Sequence, residues 1–184
     1  MSQIRYLKVA GDGKYTQWNT NVLGASDYLM VDDPPGGPDE DVTYLYTKAN
    51  TSPGDSESIG FQEPTQKNLY IRRLTAGYRV RMDTNSSKLG FYLSTGFVVN
   101  NSDYFDFLQS FNTNQSYLWR WSLSRSTNPN TGHPWKIDDI SNTEALWRAY
   151  TNDKYAKYAA RCTTVTIKME YLYPQPYIRM RRGG

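Results

Sequence analysis

Apolar and polar side chains alternate with period two over much of this chain, the pattern of strands buried on one face. The run Ile4-Arg5-Tyr6-Leu7-Lys8-Val9 opens with it, Gly11-Asp12-Gly13 punctuates, and Tyr15-Thr16-Gln17-Trp18 reads as a second short strand. An extended pattern resumes at Val42-Thr43-Tyr44-Leu45-Tyr46-Thr47 and closes at Ser52-Pro53-Gly54-Asp55. Residues 68–74, 78–83, 88–93 and 117–123 are further predicted strands, bounded by Gly, Asn, Ser or Thr. In Tyr78-Arg79-Val80-Arg81-Met82 the alternation sends Tyr78, Val80 and Met82 to one face and both arginines to the other, toward solvent or a partner. Residues 163–173 carry the strongest strand signal, with Val165, Ile167, Met169 and Tyr171 on one face, and this is predicted to be a central strand.

One segment breaks the period. After Trp135, Asp138 or Ser141 can cap a helix, and Ile140, Ala145, Leu146 and Trp147 recur at roughly helical spacing, which predicts one short helix over residues 138–150. A Pro/Gly/Asp-rich loop over residues 32–41 admits no regular element, because its prolines remove backbone donors. The predicted architecture is therefore mostly β: an antiparallel β-sandwich of jelly-roll type with that helix, one domain over residues 1–173. Pro174-Gln175-Pro176 stops the last strand, and residues 174–184 form a predicted C-terminal arm. The chain shows no fixed-period repeat and no heptads.

Composition sharpens this picture. With 184 residues the chain is long enough to enclose an apolar core without disulfides or metals. Its apolar share is 38%, but 16 Tyr and 5 Trp tilt that share toward residues favoured in strands and interfaces. The net charge of +3 is spread along the chain, with Arg79, Arg81, Arg179 and Arg181 in alternating positions, so nothing points to bulk nucleic-acid binding. No stretch approaches a membrane span and the N-terminus has no signal-peptide core, so synthesis in a cytoplasm and no membrane partner are expected.

Candidate chemistry is sparse. Cys162 has no partner for an intramolecular disulfide; it reads as a buried inert thiol, with a reactive nucleophile as the alternative. The one histidine, His133, lies in a turn sequence, and Gly36-Gly37 leads into Pro38-Asp39-Glu40 rather than into a phosphate loop. Asp32, Asp33, Asp39, Glu40 and Asp41 offer oxygen ligands for Ca²⁺, although their spacing is not that of an EF-hand, and a solvated loop that blocks strand pairing is the first reading. Nothing marks a carboxylate pair as catalytic, so the chain is read as non-enzymatic and free of cofactors. Aromatic clusters stand out instead: Tyr104-Phe105-Asp106-Phe107-Leu108 with Phe111, and Tyr117-Leu118-Trp119-Arg120-Trp121. Tyr117, Trp119 and Trp121 share a face by alternation and can serve as core, as an assembly interface or as a sugar-stacking platform.

Three stretches together resemble a family of phage-encoded virion structural proteins with a lectin-like (concanavalin-type) jelly-roll domain. They are Gly11-Asp12-Gly13-Lys14-Tyr15-Thr16-Gln17-Trp18; the segment from Tyr28 through the acidic loop to Thr43-Tyr44; and Asn128-Pro129-Asn130-Thr131-Gly132-His133-Pro134-Trp135 followed by a short helix and a final Val/Ile/Tyr strand ending at Tyr173. The Pro-Gln-Pro break and the Arg-rich tail have no counterpart in it. The resemblance implies an architectural turn at residues 128–135, a place in the virion and multi-copy or homo-oligomeric assembly with the major capsid protein or other virion proteins. A head decoration (cement) protein is the first expectation, with Tyr177, Ile178, Arg179, Met180, Arg181 and Arg182 of the arm lying on a neighbour. A tail or head fibre module binding host glycan is the second.

Overall fold

A computed structural model describes residues 2–38, 42–48, 54–82, 91–106, 109–111, 116–151 and 158–174. Twelve strands run through the described residues: β1 Gln3–Leu7, β2 Val9–Thr16, β3 Asn19–Thr20, β4 Leu45–Lys48, β5 Asp55–Phe61, β6 Tyr70–Met82, β7 Phe91–Val99, β8 Ser102–Phe105, β9 Gln109–Phe111, β10 Leu118–Trp121, β11 Thr143–Thr151 and β12 Tyr158–Leu172. They form two antiparallel sheets, which makes the fold the expected β-sandwich. Sheet A runs β10-β6-β12-β4-β3, with β1 also on β12; sheet B runs β2-β5-β11-β7-β8, with β9 also on β7.

Strand β12 is central, as its sequence predicts, and its long pairing with β6 fixes the register of sheet A: Val165 faces Tyr78, Ile167 faces Ala76 and Met169 faces Leu74. All six side chains are buried against sheet B. On its other side β12 pairs with β4 near Cys162 and with β1 from Ile167 to Tyr171. The gap between them is filled by the acidic loop, where the Val165 N–H donates to the Val31 carbonyl at 3.1 Å and Asp32 bridges to Thr164. Residues 68–74 and 78–83, expected as separate strands, belong largely to the single strand β6, whose Gly77 extends the ladder without a break.

The predicted helix over residues 138–150 is not there. Residues Ile137–Asn142 make a 3-10 turn, and Thr143–Thr151 is β11, the central strand of sheet B. The misreading has a physical cause. Trp147 points into the core, edge-on to Trp18 at 5.7 Å and tilted on Tyr78 at 5.3 Å, while its neighbour Leu146 is fully buried on the opposite face. A strand covered on both faces reads as an unbroken apolar run and loses its alternation.

The sheets are tied through the core as well as packed. The Tyr78 hydroxyl, projecting from sheet A, lies 2.9 Å from the carbonyl oxygens of both Gly96 and Leu146 in sheet B. Burial pushes its pKa up, so it stays a donor at any physiological pH.

Candidate functional site

The aromatic run 117–121 lies on the edge of sheet A. Among the described residues strand β10 pairs only with β6, setting Trp119 opposite Arg79 and Trp121 opposite Gly77, and beyond Trp121 the chain keeps to β6 through Ser122 N–H to Ala76 O at 2.8 Å and Arg125 N–H to Leu74 O at 2.9 Å. Because Tyr78 and Val80 face the core, Trp119 and Trp121 face outward. Their rings stack on one another, 5.3 Å between centroids and 19° between planes, and both are half-buried. The Trp121 ring leans across Gly77, where any Cβ would collide with it. Tyr117 points the same way but is buried, with the Arg81 guanidinium 4.9 Å from its ring centre. Of the three rings expected on one face, Trp119 and Trp121 are thus a half-buried stacked pair and Tyr117 is built into the wall.

A shallow cleft of about 480 Å³ adjoins the pair on the same face, lined by Tyr6, Arg73, Thr75, Trp121, Ser124, Lys168 and Glu170. Thr75 Oγ1 and Ser124 Oγ are hydrogen-bonded at 3.1 Å, and Lys168 pairs with Glu170 at 3.6 Å. Tyr6, 45% exposed, forms the far wall on β1. Sequence alternation places Trp119 and Trp121 together; it has no means of bringing β1, β6 and β12 to their side, since that depends on strand order.

A second cleft, about 510 Å³, shares Tyr6 and is lined by Leu7, Lys8, Val9, Asp32, Asp33, Pro34, Pro35, Val165 and Thr166. Asp32 is exposed and Asp33 half-buried, so the described part of the acidic loop seals the sheet gap; Asp39, Glu40 and Asp41 lie outside the described residues. Among the described residues no group of three or more His, Cys, Asp or Glu is arranged to hold a metal ion. The arm residues Tyr177, Ile178, Arg179, Met180, Arg181 and Arg182 also lie outside the described residues.

The remaining candidates have structural surroundings. Cys162 is fully buried, and that burial pushes its thiol pKa up, which makes it the inert thiol of the first reading. In the turn, Gly132 takes φ 72°, its N–H reaches Asn128 O at 2.8 Å, and Trp135 buries its ring 6.2 Å from Phe97 while donating Nε1–H to Arg125 O at 2.9 Å. His133 is exposed.

One feature escapes the sequence entirely. Glu57, on the inner face of β5, is buried in the core opposite Trp147; its Oε2 accepts the Trp18 N–H at 3.0 Å. Desolvation, reinforced by the nearby Asp27 and Asp12 carboxylates, pushes its pKa up to about 9, so Glu57 is neutral and donates to Asp27. No histidine or cysteine motif marks this group.

No protein-family model and no curated protein matches the chain. Solved structures give distant likenesses. A Tobacco streak virus coat protein is similar at a TM-score of 0.34 and 10% identity, over 76% of this chain and 92% of that one. The dimer of that coat protein gives 0.32 and 11%, over 76% and 90%. The CBM22-1 xylan-binding domain from Paenibacillus barcinonensis Xyn10C gives 0.32 and 12%, over 91% and 95%. Likenesses this remote carry no argument about what the chain does.

Proposed function

We propose that this chain is a bacteriophage virion structural protein that acts by binding and assembly, without catalysis or a cofactor. The reading is carried by one observation: the stretches that resemble phage virion proteins are structural parts of the sandwich. Asp12 of the first stretch accepts the Tyr28 N–H of the second at 2.8 Å, and Trp18 is buried against Trp147. The Asn128–Trp135 turn of the third is tied down by Gly132 and Trp135, as described above. A resemblance carried by residues that build the sandwich supports kinship of the whole domain, and the role in the particle rests on that analogy.

Within the virion, the finer assignment is a head decoration protein bound to the major capsid protein in many copies, with the arm after Pro174 as an attachment element. Quantitative mass spectrometry of purified particles tests it. Copy numbers comparable to the capsid protein support the shell assignment, a handful per particle replaces it with a fibre, and absence from particles refutes the virion reading. Deleting residues 175–184 should lower particle occupancy while leaving the melting temperature unchanged.

A further inference from the structure

We propose that the outer face of sheet A binds an anionic oligosaccharide in the cleft between Trp121 and Tyr6. The inference stands apart from the virion reading, since it rests on this face alone. Its elements are an aromatic wall, a hydroxyl-lined floor and an excess of positive charge.

The aromatic wall comes first. A sugar ring offers an apolar C–H face and polar edges, so it prefers a flat aromatic side chain with hydrogen-bonding groups to the side. Trp121 lines the cleft, backed by Trp119 and seated over Gly77, so it is held in place before any ligand arrives. Tyr6 stands three strands away across β6, β12 and β1, a span of roughly 14 Å at the usual strand spacing of about 4.8 Å. That span suits a short chain of sugars better than a single one.

The floor and the charge follow from register. Thr75 and Ser124 present hydroxyls, and Glu170 a carboxylate, to the cleft. Arg73 and Lys168 line the cleft against one carboxylate, Glu170, which pairs with Lys168; Asp32 and Asp33 belong to the neighbouring cleft beyond Tyr6. The cleft lining thus carries one more cation than anion, and guanidinium and ammonium groups take carboxylate or sulfate oxygens by charge-assisted hydrogen bonds. A protein partner would call for an apolar centre, whereas this cleft has polar groups along its floor.

The test is a fluorescence and calorimetric titration of the whole chain with a short oligogalacturonate, the neutral galacto-oligosaccharide of equal length and a thymidine oligonucleotide. The oligogalacturonate should bind, and W121A and the double variant R73Q/K168Q should each weaken it at least tenfold, with K136A unchanged. Because W121A removes a packed ring, circular dichroism melting accompanies each variant, and R73Q/K168Q, on exposed or half-exposed side chains, keeps the test open if W121A unfolds. No binding of the oligogalacturonate, equal binding of the neutral sugar, tighter binding of the oligonucleotide, or indifference to R73Q/K168Q would each overturn the proposal.

Discussion

Replacing Glu57 with glutamine should stabilise this protein at neutral pH and remove most of its loss of stability with rising pH. In the folded chain Glu57 titrates at about 9; in the unfolded chain it returns to 4.5. Below pH 4.5 both states hold the proton and Glu57 contributes no pH dependence. Between the two values the folded state holds a proton that the unfolded state has released, so stability falls by about 1.4 kcal/mol per pH unit and levels off above about 9. At pH 7 the accumulated cost is about 3 kcal/mol. A glutamine carboxamide keeps the shape, accepts the Trp18 N–H and donates to Asp27 without needing a proton. E57Q should therefore nearly match the parent at pH 5 and exceed it by about 3 kcal/mol at pH 7, roughly 10 °C in melting temperature for a chain of this size. Asp27 is also raised by burial and acts in the same direction, but it is present in both proteins and cancels in the difference. Urea denaturation at pH 5, 7 and 8.5 reads the effect. Parallel pH–stability curves for the two proteins would refute the reasoning.

Other substitutions probe the core and the sheets. Y78F removes the hydroxyl that reaches Gly96 and Leu146, and should cost about 1–2 kcal/mol in thermal or urea unfolding. G96A and G77A should separate sharply: a Cβ on Gly96 meets the Tyr104 backbone carbonyl, which cannot yield, so a loss of about 3 kcal/mol is expected. The atoms nearest to a Cβ on Gly77 belong to the Trp121 ring, a side chain that can swing aside, so G77A should cost less in melting than G96A while abolishing the near-ultraviolet dichroism of the Trp119–Trp121 stack. Cys162 should resist thiol reagents in the native protein and react fully in urea; native reactivity at the unfolded rate would show that its burial is not maintained.

The β class and the central position of β12 are legible in the sequence because period-two alternation survives wherever one face is buried and the other is not. It survives in Met169 and Tyr171, beside the half-buried Lys168 and Glu170, and in Tyr78 and Val80, beside Arg79 and Arg81; around Val165 and Ile167 both faces are buried, and the alternation persists only because the outward residues Thr164 and Thr166 are polar. It fails in β11, where Leu146 and Trp147 are both buried, and in β5, where Asp55-Ser56-Glu57-Ser58 looks like a loop although Ser56, Glu57 and Ser58 are all buried. Glu57 is invisible for the same reason: a carboxyl enters the core only because a backbone N–H and a second carboxyl wait there, and both come from the distant segment 18–27. The Trp119–Trp121 pair is half legible. Alternation gives their common face, while the cations and hydroxyls beside them depend on the order β10-β6-β12-β1, which local periodicity does not encode.

The two sheets differ in what becomes of their outer faces, and this difference decides where contact with another molecule is plausible. On sheet B the outward-facing Leu146 and Val98 are buried, so the chain closes that face with its own residues. Arg148 is part of this closure: its Nε–H donates to Ser56 Oγ at 2.8 Å and its guanidinium lies 4.4 Å from the Phe105 ring centre. On sheet A the stacked tryptophans and the charged Arg73, Lys168 and Glu170 stay at least partly open to water, although Thr164 and Thr166 on the same face are buried. A wall and a contact surface respond differently to loss of charge. R148Q gives up a hydrogen bond and a cation–π contact that are both shielded, and should lower stability by about 1 kcal/mol or more. R73Q alters an exposed side chain and should stay within about 0.5 kcal/mol of the parent in the same urea experiment. If R73Q proves as destabilising as R148Q, the outer face of sheet A is a second structural wall, and its tryptophans belong to stability rather than to binding.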